Sequence, residues 1–308
     1  MSDTHVHTDI YGINEYRSVN NAYETQVPTG IYGLDELIGG GFLKNTVNVV
    51  CGGTGTGKTT FGLQYALCGL NRGEKAVIIS FEMSEKQIIK YANSLGWKEI
   101  ENHVARGNLK IIQRFGEEML IPPLEIQGLI RDEVGSVPDR IVLDPLTYIE
   151  SFSASGRKSL SMIFQNLRET GTTVATLERP SDAWDGVPSY LADSVVLLEN
   201  LGFGEMFDRT LRIIKTRGLG HGEGLYPYSI EGGAGIVVRA SEKQKERVRL
   251  KNEYSIVFDA AMEEAEKLGL ILLRERIAVL KDNWTKAEDP KLILDTLIES
   301  ERKYVRKD

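Results

Sequence analysis

The chain has 308 residues, of which 41% are hydrophobic and 26% charged, with a net charge of −7 and a pI near 5.4. This is enough for one large α/β domain with an appendage or for two small domains, and no stretch approaches the roughly 18 apolar residues of a membrane span. The acidic balance argues against constitutive binding to nucleic acid, which usually needs a basic stripe, and the two cysteines, Cys51 and Cys68, make neither a disulfide framework nor a metal-ligand spacing, as in a reducing cytoplasm.

Residues 1–24 read as a polar arm carrying Tyr11, Tyr16 and Tyr23, with neither the basic nor the apolar part of a signal peptide. His5 and His7 lie two apart there, without further evident metal ligands. Ordered sequence starts near Thr25 and leads through Gly39-Gly40-Gly41 to a buried strand at Thr46–Val50. The strand ends in Gly52-Gly53-Thr54-Gly55-Thr56-Gly57-Lys58-Thr59, which fits the phosphate-binding pattern G-x-x-x-x-G-K-[ST]. A helical apolar pattern then runs over Thr59–Leu70 and closes at Arg72-Gly73.

Ala76–Phe81 is the next apolar strand, ending in Glu82. Ser84 and Gln87 form a capping box for a helix that stops at Gly96. Leu109–Ile112 is a short strand, Pro122–Val134 a helix, and Ile141–Leu143 a buried strand that delivers Asp144. A helix over Leu160–Thr170 and a strand over Thr173–Leu177 follow. This alternation predicts right-handed crossovers and a mostly parallel sheet covered on both faces. Beyond Asp193 the segments Ser194–Glu199 and Arg209–Thr216 read as an antiparallel pair, with short strands at Tyr226–Ile230 and Gly235–Val238. From Ser241, which opens a second capping box with Gln244, the chain turns helical, and Pro290 opens the last helix. Residues 241–308 are charge-balanced, so residues 1–240 carry the whole −7.

The loop supplies the chemistry. Its glycines let backbone N–H groups converge on phosphate oxygens, and the following helix adds its N-terminal dipole. Gly53, Thr54, Gly55, Thr56, Gly57, Lys58, Thr59 and Thr60 are therefore the expected nucleotide-binding set, with Lys58 reaching the β- and γ-phosphates of ATP. Thr59 and Asp144 are the expected Mg²⁺ ligands, since an acid ending a parallel core strand sits beside the loop. Glu82 also ends a strand, one expected to neighbour the loop strand, where a carboxylate can polarise the attacking water. Lys215 and Arg217 alternate at a strand end, so both point to one face. They form either a solvated cationic edge or a finger that meets a γ-phosphate across a subunit boundary.

Six stretches in order, PTGIYGLDELIGGGF (28–42), CGGTGTGKTTFGLQ (51–64), VIISFEMSEKQIIKYANSLGW (77–97), RIVLDPLT (140–147), TTVATLERP (172–180) and TLRIIKTRGLGHGEGLYPYSI (210–230), resemble the KaiC branch of RecA-type ATPases. The resemblance implies a RecA-like P-loop core over 25–240, with a mostly parallel sheet, a β-hairpin extension, and a helical C-terminal extension over 241–308. It implies that Glu82 activates water, that Lys215 and Arg217 reach the neighbouring subunit's ATP in a hexamer, and that His221 lies near the nucleotide. Where that family commonly has paired glutamates, Glu82 is followed here by Met83, which implies slow turnover. The expected activity is a cytoplasmic Mg·ATPase ring whose nucleotide state governs assembly or an unidentified regulatory partner. Two alternatives stand beside it: a RadA-like recombinase paralogue using loops 151–159 and 181–190 on DNA, and an assembly module gated by ATP binding with negligible hydrolysis. Ser189 lies in the stretch that matches a region of autophosphorylation in one KaiC domain.

Overall fold

The computed structural model describes residues 26–115, 126–147, 157–178, 186–200, 209–282, 284 and 289–305. At its centre six strands run parallel: β3 (Val47–Gly52), β4 (Ala76–Ser80), β5 (Leu109–Gln113), β6 (Arg140–Asp144), β7 (Thr172–Glu178) and β8 (Ser194–Asn200). Strands β9 (Arg209–Thr216), β10 (Tyr226–Glu231) and β11 (Gly235–Val238) extend the β8 edge antiparallel. The spatial order of this nine-stranded sheet is β11-β10-β9-β8-β3-β7-β6-β4-β5. Two short strands, β1 (Gln26–Val27) and β2 (Phe42–Leu43), pair apart from it.

Period-two alternation sends successive strand residues to opposite faces. Val50, Ile78 and Val142 join one core cluster with α1 (Lys58–Leu70), α2 (Glu85–Ser94) and α3 (Glu99–Ala105). Val49, Cys51, Ile79 and Leu143 join the other with α4 (Ile126–Val134), α5 (Arg157–Thr170) and α6 (Val187–Leu191). Both faces are covered, which is why the parallel strands are apolar throughout instead of alternating. The Ser84–Gln87 capping box forms as its residues predict. A third cluster, with Phe258, Ala265, Ile277, Trp284 and Ile298, unites α7 (Glu242–Lys267), α8 (Ile271–Asp282) and α9 (Lys291–Val305). Its first helix is capped by Ser241 and Gln244 and touches the 3₁₀ turn at Asp35–Leu37. Among the described residues no helix is long and apolar enough to cross a membrane.

The strand order corrects one expectation. β4, which leads to Glu82, does not neighbour the loop strand β3; it lies between β6 and β5, with β7 and β6 intervening. Consecutive strands are neighbours only about two-thirds of the time, and apolar runs of equal length carry no information about spatial order.

Arg140 opens β6 and is fully buried. Its guanidinium donates to Glu74 at 2.5 Å, to the Pro28 carbonyl at 2.7 Å and to the Tyr65 carbonyl at 2.9 Å, and lies 4.6 Å from the Tyr65 ring centroid. Room for it comes from Gly69 in α1, where an added Cβ would stand 2.1 Å from the Arg140 Nε. The group ties the loop before β4, helix α1 and the segment entering the 3₁₀ turn to one strand. Arg140→Met should leave two carbonyls and a carboxylate without their donor. With Glu74 29% exposed, the loss of stability belongs at the low end for a broken buried pair, about 3 kcal/mol, read as a lowered urea midpoint at unchanged slope.

Candidate active site

Strand β3 ends at Gly52, and the chain curls through Gly53–Gly57 into α1. Gly57 precedes the helix at φ 96°, a left-handed conformation that disfavours any side chain. Its own Cβ would also strike Ile230 at 2.7 Å. The curl is braced from inside: the Thr56 hydroxyl donates to the Gly53 carbonyl at 2.9 Å, and the Tyr228 hydroxyl donates to the Thr56 carbonyl at 2.6 Å. A Cβ at Gly53 or Gly55 would meet nothing within 4 Å, so the loop opens onto space that a phosphate chain can fill. The N–H groups of the first turn of α1 have no intrahelical acceptors and, with the helix dipole, favour an anion there. Lys58 Nζ donates to the Gly53 carbonyl at 2.8 Å, folded back over the loop. The Thr60 hydroxyl pairs with the Tyr91 hydroxyl at 2.6 Å, so Thr60 offers a ligand only its backbone N–H.

Because β7 separates β3 from β6, Asp144 at the end of β6 faces the start of α1 from one strand away. It is 8% exposed and accepts hydrogen bonds from the Thr176 and Thr59 hydroxyls. Burial pushes its pKa up, and those two bonds together with nearby Lys58 pull against the shift. A carboxylate in contact with the Thr59 hydroxyl is a pair of hard oxygen donors, which suits Mg²⁺ completed by phosphate oxygens and water.

Glu82 is exposed and lies two residues past Ser80, the Cα partner of Asp144. The Phe81 N–H donates to the Asp144 carbonyl at 2.9 Å and the Met83 N–H to the Ser80 hydroxyl at 3.0 Å. Glu82 is thus held beside the metal-side acid, although its strand is not next to the loop strand. Met83 packs against the apolar cluster beneath α2, so the position after Glu82 serves the core. One acidic residue of the site is not among the groups expected from the sequence. Glu178 closes β7, is the Cα partner of Gly52 and accepts a 2.5 Å hydrogen bond from the Thr54 hydroxyl. The strand-end rule that found Asp144 applies equally to it.

Lys215 and Arg217 do share a face: Lys215 Nζ at 3.2 Å and Arg217 Nη2 at 2.9 Å both donate to the Tyr190 carbonyl. Arg217 also approaches Asp193 at 3.7 Å, and Asp193 is held in turn by Arg168 at 2.9 Å. This group is at the wrong end of the sheet for its own loop. Thr216 pairs with Ser194 and Ser194 with Asn48, whereas the loop starts at Gly52, roughly 13 Å further along. His221 follows on the same connection, and its neighbour Gly222 donates its N–H to the Leu37 carbonyl at 2.8 Å. Ser189 is 3% exposed, with its hydroxyl 3.8 Å from Cys51 Sγ, so phosphate transfer to it requires α6 to lift away. His5, His7 and the arm, together with residues 151–156 and 181–185 of the loops weighed for DNA, lie outside the described residues.

A family model described as "ATPase: KaiC" matches residues 27–243. Among curated relatives, the circadian clock protein KaiC2 of Synechocystis is 33% identical over 220 residues, covering 66% of this chain and 38% of that protein. The circadian clock oscillator protein KaiC of Prochlorococcus marinus is 33% identical over 231 residues, and that of Synechococcus elongatus 33% over 237, each alignment covering 70% of this chain and 45% of the relative. The chain therefore spans less than half the length of these relatives.

Proposed function

Because the chain belongs to the KaiC family of ATPases, we propose that it binds Mg·ATP at the boundaries between subunits of a homo-oligomeric ring, a hexamer, and hydrolyses it slowly. The observation that carries this reading is the placement of Lys215 and Arg217. Two cations converge on one carbonyl, at the end of the sheet remote from their own phosphate loop. They cannot serve the nucleotide of their own subunit, but an equivalent loop on an adjoining copy can meet them.

On this proposal each residue takes a role. The loop's N–H groups cradle the phosphates, and Lys58 swings from the Gly53 carbonyl to offset charge on the β- and γ-phosphates. Thr59 and Asp144 would hold Mg²⁺, which when bound neutralises phosphate charge. Glu82 orients the attacking water and takes its proton. The neighbour's Lys215 and Arg217 stabilise charge that develops on the transferred group, with His221 on the same boundary. With Met83 committed to the core, a single glutamate is left at that strand end, which favours slow turnover.

Nucleotide state would then set the closure of the ring and its affinity for a regulatory partner. Light scattering of the purified chain with and without ATP and Mg²⁺, with ADP release followed in parallel, tests this. The expected result is a several-fold rise in mass with nucleotide and slow ADP release; a constant monomer mass in both conditions overturns it.

A further inference from the structure

We propose that Glu178 is a charge gate on the phosphate loop, one that weakens the binding of a metal-free nucleoside triphosphate and admits the triphosphate only together with its divalent cation. The inference deepens the ATP reading above and rests on it. Glu178 is pinned where a terminal phosphate would arrive. Its backbone pairs with Gly52 across β3 and β7, its N–H donates to the Thr147 hydroxyl at 2.9 Å on the turn after Asp144, and its Oε1 accepts from Thr54 at the tip of the loop. The residue is exposed at the mouth of the site. Among the described residues no Lys or Arg forms an ion pair with it.

The closed loop has two latches, Thr54 to Glu178 and Lys58 to the Gly53 carbonyl. A third phosphate entering beside Lys58 would approach the Glu178 and Asp144 carboxylates, and like charges repel appreciably at the moderate effective dielectric of a protein surface. A bound divalent cation offsets that repulsion. A diphosphate stops short of it. Glu178 therefore acts on the terminal phosphate and leaves the rest of the nucleotide unaffected.

The test is the affinity of the full chain for ATP and for ADP, each measured in EDTA and in Mg²⁺ by displacement of a fluorescent nucleotide. Glu178→Gln keeps an acceptor for Thr54 and removes only the charge. It should tighten ATP binding in EDTA about tenfold, change ADP binding less than about twofold, and leave Mg·ATP nearly unchanged. Glu178→Asp retains the charge and should keep the wild-type pattern. An unchanged ratio of ATP to ADP affinity in EDTA for Glu178→Gln overturns the gate while the ATP reading survives. Failure of the wild-type chain to bind ATP with Mg²⁺ present would remove the ATP reading and the gate with it.

Discussion

Arg217→Ala should lower ATP turnover by about three orders of magnitude, the usual contribution of an arginine that reaches the transferred phosphoryl group, while ATP binding at the altered subunit's own loop persists. The side chain is 56% exposed, and Asp193 keeps Arg168 as its partner, so the substitution should cost little stability. Lys215 and Arg217 crowd one carbonyl. Burial, followed by the neighbouring Arg217, pushes the Lys215 ammonium pKa down, the direction expected for a cation short of counter-charge. A phosphate lent by an adjacent copy, as proposed above, would relieve both. The sharpest form of the measurement mixes Arg217→Ala with Glu82→Gln, which leaves the phosphate loop and so ATP-driven assembly intact. Each is inactive alone, but random mixing places an intact Glu82 against an intact arginine at about a quarter of the boundaries of a ring. Turnover in the mixture should recover to that fraction. Additive inactivity, or unimpaired turnover by Arg217→Ala alone, is incompatible with a shared site.

Lys58→Ala should weaken ATP binding by about two orders of magnitude, the scale for removing one partner of a desolvated charge pair, and should abolish nucleotide-driven assembly with it. Lys58 in the closed loop spends its ammonium on the Gly53 carbonyl, a neutral acceptor that a phosphate displaces with a charge-assisted bond. The loop's fold depends instead on Thr56, Tyr228 and Gly57, so the variant should unfold at the wild-type urea midpoint. Calorimetric titration with Mg·ATP reads the first quantity and light scattering the second. Wild-type affinity in this variant would mean that the loop is not the nucleotide site.

Much of this molecule is legible in its amino-acid sequence. The strand, glycine curl and helix around Lys58 are local: buried β-branched residues, positions that need positive φ and a helical apolar pattern closed at Arg72-Gly73 each follow from sequence neighbours. So do both capping boxes, the apolar strand that delivers Asp144, the antiparallel β8–β9 pair, and the common face of Lys215 and Arg217. Each is set by side chains within a few residues.

What lies far apart along the chain was decided by packing alone. The insertion of β7 between the loop strand and the Asp144 strand, the place of Glu82 beyond it, and the pairing of Thr54 with Glu178 across 124 residues depend on which apolar faces cover one another. Arg140 reads in sequence as a polar residue before an apolar strand and becomes a fully buried cation only when Gly69 of α1 makes room for it. Local sequence thus determined which groups could bind phosphate. The tertiary structure decided which of them meet, and at which end of the sheet Lys215 and Arg217 lie relative to their own loop, because that follows from β8 pairing in parallel with β3, far away in the chain.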